Sequence, residues 1–231
     1  MNQPLVHMHK TVLMQRLLDA VCHGYYWHTH GTVSVPKALR LAEKFSECYG
    51  VHRNANSRAY AKRMGQSNAK LFLYAASGTE HLSWWLLATN GDGSVHREED
   101  LASATDARRR LRIGDNDELV RRTRPRGHGG GTVWTWRMTT ECVREWRERI
   151  IMACRRREAG AVTQTVGSLY RCPGFSGIRH QVGKLVALSR KEWRRRHGNL
   201  NHFILPPALP YLERLRDTAI PLSELVERSD E

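Results

Sequence analysis

His28-Thr29-His30 is the spacing in this chain that comes nearest to metal chemistry. Side chains alternate between the faces of a β-strand, so the two imidazoles would point the same way, with their backbones about 7 Å apart. That is close enough to share a divalent ion, which would polarise a phosphate for attack. Tyr60, in the run AYAKR with Lys62 and Arg63, is the first nucleophile to consider. Without a metal, His28 or His30 suits a general base acting on a ribose 2′-hydroxyl, with Tyr26 or an arginine stabilising the phosphorane. No third ligand stands out, and a strand histidine pair is more often hydrogen-bonded or stacked on a base.

The run Arg121–Gly131 (RRTRPRGHGGG) carries Arg121, Arg122, Arg124, Arg126 and His128 beside three glycines and no acid. Glycine lets the backbone approach a ligand closely, and arginine grips phosphate through a planar fork. Such a loop between two strands is expected to hold a bound nucleic-acid strand. Three further clusters extend the basic surface: Arg108, Arg109 and Arg110; Arg155, Arg156 and Arg157; and Arg194, Arg195 and Arg196. Each is expected at the C-terminal end of a helix. Dipole capping is worth about 0.3–1 kcal/mol, and triplets exceed what capping needs.

Composition agrees with a polyanion partner. The chain has 231 residues, a formal net charge of +14, and 30 Arg against 7 Lys. A surplus of this size concentrates polyanions and releases their counterions. Two other features limit the classes. No long uncharged apolar run supports a membrane span, and no C-x-x-C pair supports a zinc ribbon. The five cysteines, odd in number and scattered, suggest reduced thiols, and the N-terminus lacks a secretory core, so the expectation is cytoplasmic. Walker and dinucleotide fingerprints are absent.

Hydropathy periodicity predicts a helix over 9–22, a strand over 25–33 and a helix from Ser34 as N-cap to about Tyr49. A short helix around 58–64, strands over 71–76 and 82–89, a helix over 98–111, and strands over 119–123 and 132–138 follow. From residue 139 the pattern turns to Arg-rich helices over 139–157, 162–170 and 175–197, with one more over 209–217. The order from 25 to 123 is strand, helix, strand, strand, helix, strand. That defines an α+β fold with a split βαβ (ferredoxin/RRM-like) antiparallel sheet, extended by a fifth strand. The expected division is an RRM-like domain over 1–138 and a helical basic region over 139–231.

In that sheet the central strands carry Tyr26, Trp27, Trp84 and Trp85, candidates to stack unpaired bases at roughly 1–3 kcal/mol each. The layout resembles that of RNA-recognition motifs, CRISPR RAMP proteins and HUH nucleases, and the histidine pair looks like the two-histidine element of the last. There the family has a bulky apolar residue between its histidines, where Thr29 stands here. The resemblance implies a divalent metal held by His28 and His30 and a tyrosine nucleophile. RAMP likeness implies guide-RNA binding or processing, for which Pro173–Gly177 (PGFSG) is a faint echo of the glycine-rich loop.

The expectation is a binding protein for RNA or single-stranded DNA, without cofactor, working with other subunits of a nucleoprotein assembly. Alternatives are a metal-dependent HUH-like DNA nuclease of plasmid replication or transfer, a RAMP-like protein, or helix-mediated double-stranded DNA binding. Trp146 and Trp193 are the candidates for a patch that meets a protein subunit.

Overall fold

The computed structural model describes residues 4–76, 80–124, 126–155, 159–200 and 208–227. In chain order the elements are β1 (Leu5–His7), α1 (Lys10–Cys22), β2 (Trp27–Ser34), α2 (Val35–Tyr49), α3 (Ala55–Arg63), β3 (Ala69–Ala75), β4 (His81–Ala88), α4 (Ser94–Glu98) and β5 (Ala102–Ser103). They continue as β6 (Arg112–Ile113), β7 (Asp117–Thr123), β8 (Thr132–Met138), α5 (Thr140–Arg155), α6 (Ala159–Leu169), α7 (Ser176–His197), β9 (Ile220–Pro221) and α8 (Leu222–Glu227). Two compact units result: Met1–Leu111 with Arg214–Glu231, and Arg112–Glu213. The sequence suggested a single change of character after residue 138.

The first unit is built on a mixed six-stranded sheet in the order β5-β2-β4-β3-β1-β9. β4 pairs antiparallel with both β2 and β3, while β1 runs parallel to β3. On α2, Ala38, Ala42, Phe45 and Tyr49 are buried along one stripe, and Gly50 ends the helix in the left-handed conformation. Ala38 and Ala42 cluster with Val6, Leu73 and Leu82 of one sheet face and with Leu222 of α8, while Phe45 and Tyr49 cluster with Ala69, Leu86 and Ala88. Strand alternation then places His28, His30, Lys70, Phe72, Trp85 and Leu87 on the other. α1 packs against β1 and β3. The turn of the expected 71–89 hairpin lies at 77–79, outside the described residues.

Two expected helices do not form. The segment 98–111 has only the end of the five-residue α4, followed by β5 beside Trp27 and His28. Ser103 Oγ accepts from Thr105 N–H and Asp106 Oδ1 from Arg108 N–H, so local side-chain bonds replace the helical ladder. Residues 209–217 are likewise irregular. There Leu215 gives its N–H to Gln15 Oε1 and its carbonyl accepts from Arg16 Nη2, both on α1. Partners far away in sequence satisfy that backbone, which periodicity cannot register.

The second unit holds a separate three-stranded antiparallel sheet, β6-β7-β8. The strands expected at 119–123 and 132–138 exist and form a hairpin, but they belong to this sheet and add nothing to the first one. Glu118, buried on β7, is clasped by Arg137 at 2.6 Å. Helices α5, α6 and α7 pack on one another, and α7 lies against β8. Gly177 allows that approach: a Cβ there would collide with the Trp136 carbonyl. No helix among the described residues is long and apolar enough to cross a membrane.

Candidate nucleic-acid interface

α7 is docked to β8 by two side chains. Thr135 Oγ1, buried in the sheet, accepts from Ser176 Oγ at 3.0 Å and from the Gly177 N–H at 3.1 Å. One turn on, Gln181 accepts from the Met138 N–H and donates to the Met138 carbonyl, at 2.7 and 2.9 Å. With Ile178, Val182, Leu185 and Trp193 turned inward, the helix presents Arg179, His180, Gly183 and Arg190 outward.

These residues line a groove of about 400 Å³ together with Arg122 of β7, Tyr170 and Tyr211. Its volume falls in the range of small-ligand clefts, roughly 300–1,000 Å³. Arg122 reaches over to the Ser176 carbonyl at 3.3 Å. Arg179 donates to the Leu209 carbonyl at 2.6 Å and lies 3.4 Å from the centre of the Tyr211 ring. That ring is still 70% exposed, so its surface away from the guanidinium is open. No carboxylate stands among the described lining residues. Partial burial, then the neighbouring charges of Arg122 and Lys184, hold the His180 imidazole below its ordinary value. An anion brought into the groove would reverse that shift.

The loop above the hairpin closes through Arg124 N–H to the Gly131 carbonyl at 2.8 Å, with Gly129, Gly130 and Gly131 all at positive φ. Arg121, Arg124 and Arg126 are exposed, and Arg121 Nε donates to Thr132 Oγ1. His128 sits in a single 3₁₀ turn. Arg121 and Arg122 alternate, so only Arg122 joins the groove.

None of the described arginines of the remaining clusters is among the residues that line the groove. Arg108 is exposed; Arg109 forks onto Asp100 at 2.8 and 3.0 Å; and neither these nor Arg110 end a helix. Arg194, Arg195 and Arg196 do occupy the last turn of α7, with Arg195 paired to Glu192 at 2.6 Å. Arg155 ends α5, whereas Arg156 and Arg157 lie outside the described residues.

The aromatic residues of the first sheet serve its core. Trp84 packs edge-on to Phe45 at 5.4 Å between ring centres, and Trp27 donates to Asn90 Oδ1 at 2.7 Å and meets His96. Trp85 is buried, and Tyr26, Trp27 and Trp84 are half-buried. In the second unit Trp193 is buried against His197 and Trp146 lies beside Arg149, which leaves no patch at Trp193.

His28 and His30 share one face, as the alternation predicts, in very different surroundings. His28 is 3% exposed, with neither ring nitrogen in an ordinary hydrogen bond among the described residues; His30 is exposed. Burial first, then the charge of His30 and last that of Arg109, push the His28 imidazole down to about 4, against the opposing effect of the Arg109 backbone. No group of three His, Cys, Asp or Glu side chains suited to a metal occurs among the described residues. The pair alone is an incomplete donor set. Tyr60 stands on α3, 57% exposed, with Lys62 and Arg63 in the last turn and the Arg63 guanidinium 5.9 Å from its ring centre.

Sequence reasoning missed Tyr170, Arg179, His180, Arg190 and Tyr211. A signal existed for part of this set: Arg179 and Arg190 are three helical turns apart and therefore share a face. Nothing local announces Tyr211. The arrangement belongs to an α+β chain of two units, one of them carrying an acid-free basic groove. No protein-family model matches the chain, and no curated protein or solved structure matches it.

Proposed function

We propose that this chain binds single-stranded RNA or single-stranded DNA in the groove of its second unit. The observation that carries this reading is a cleft of Arg122, Arg179, His180 and Arg190, free of carboxylates, beside the open ring of Tyr211. Cations along a groove track a phosphate backbone, and an exposed aromatic ring accepts any base. The exposed arginines of the 121–126 run extend the positive surface beyond the groove. In the first unit we read the order β5-β2-β4-β3 as a split βαβ arrangement, with the two-residue β5 in the place of its last strand. With five free thiols, a reducing, cytoplasmic setting suits the chain.

The test is fluorescence anisotropy with labelled single-stranded RNA, single-stranded DNA and duplex DNA over a salt series. Parallel gels with Mg²⁺, Mn²⁺ or a chelator read cleavage. Intact single strands should be retained, with the logarithm of affinity falling against log salt by about 0.7 per phosphate contact. Arg190→Ala should lower that slope by about one contact. Tyr211→Ala should cost about 1–3 kcal/mol of affinity with the slope unchanged. Affinity indifferent to both substitutions, or no binding at moderate salt, overturns the assignment. Preference for duplex would favour helix-mediated reading of DNA.

A further inference from the structure

We infer that a notch in the first unit, at the open edge of β3, is a second anion site that takes a phosphoryl group. Among the described residues β1 meets β3 only at Leu73 and Tyr74, so over its first half β3 is paired with β4 on one side and open on the other. A cavity of about 250 Å³ opens there, lined by His7, Arg16, His52, Arg58, Phe72 and Asp217. An apolar cavity of roughly 150 Å³ accommodates benzene, so this one is ample for a phosphate and part of an attached sugar.

The donors around it are more numerous than the acceptors. Arg16 Nη1 and Arg58 Nε are buried with no hydrogen-bond partner among the described residues; the Asp19 carboxylate lies 3.7 Å from the former. Asp217 is already occupied: its Oδ2 accepts from Arg16 Nε at 2.9 Å, and its Oδ1 lies 3.3 Å from both His7 Nδ1 and the Ala219 N–H. His7 itself is 94% buried, stacked 6.4 Å from the Phe72 ring. Counting Asp19, which Arg214 also clasps, three guanidinium groups stand against two carboxylates and leave one uncompensated positive charge. Buried cationic donors demand acceptors, and a tetrahedral oxyanion offers several at once to the planar forks of arginine.

This site is independent of the groove and stands or falls without it. Its test is a histidine-ring NMR titration of the full chain carrying Arg190→Ala and Tyr211→Ala. The titrants are inorganic phosphate, adenosine 5′-monophosphate, and an oligonucleotide with either a 5′-phosphate or a 5′-hydroxyl, at constant ionic strength. The His7 and His52 signals should move saturably with phosphate in the millimolar range and at least tenfold more weakly in Arg58→Gln. His52→Ala, at an exposed position, is the second variant and should weaken binding several-fold. Tighter binding of the mononucleotide assigns a free ligand, whereas tighter binding of only the 5′-phosphorylated oligonucleotide assigns a nucleic-acid end. Shifts that follow chloride equally, fail to saturate, or persist unchanged in Arg58→Gln overturn the site.

Discussion

His28 is enclosed on the sheet face that it shares with the exposed His30, and its imidazole is held well below its ordinary value. Alternation correctly put it on one face with His30, but the burial that neutralises it comes from residues elsewhere in the chain. Because its folded value near 4 lies below the ordinary 6.5, the unfolded chain takes up a proton that the native state refuses. Its contribution is therefore complete above pH 6.5 and is lost as pH falls from there to about 4. The loss is on the order of 3 kcal/mol. His7, also lowered, by burial above all, works in the same sense. Denaturant unfolding of the wild type between pH 4 and 7 should show this acid limb, and His28→Leu should flatten it. An unchanged limb would mean that other groups set the acid sensitivity. The same experiment bears on the metal reading: a histidine that resists protonation is available as a ligand, but here both ring nitrogens are enclosed.

At the scale of elements, α7 decides whether the groove exists. Gly177 rests directly against the Trp136 carbonyl, and the helix carries two of the groove arginines within its next four turns. Gly177→Ala forces a Cβ into backbone, where overpacking typically costs about 1–3 kcal/mol. The variant should lower both the unfolding midpoint and the affinity for single strands, although position 177 lies beneath the surface. Intact affinity would show that the groove tolerates a shifted helix. α7, α2 and the β7–β8 hairpin were legible because each carries its own periodicity and stop signal, such as Gly50 and Gly198. The helices expected at 98–111 and 209–217 failed for one reason. In both, backbone groups find side-chain partners, local at Ser103 and Asp106 and remote at Gln15 and Arg16. The three-residue β1 is too short to announce itself, and so the notch beside it was invisible.

For the whole molecule, the surplus of positive charge was plain from composition, but its placement was not. None of the described arginines of the three triplets lines the groove, which draws on Arg179 and Arg190, single in the sequence. The division into units was hidden as well, because the first one is discontinuous and takes back residues 214–227. Leu222, fully buried against Val35, Leu73 and Leu82, anchors that return. Leu222→Ala should cost about 2–5 kcal/mol. Hydrogen exchange should accelerate in β1, α2 and β3 and leave β7 and β8 protected. Loss of protection in both units together would refute their independence. The discontinuity also has a consequence in time. On the ribosome, the 116 residues between Ser103 of β5 and Ile220 of β9 take about 6–23 s to synthesise. Throughout that interval the nascent first unit displays the unpaired outer edge of β1, a strand seeking a partner. Whatever shields that edge during translation, a chaperone or sheer brevity, governs how much of the protein reaches its native form.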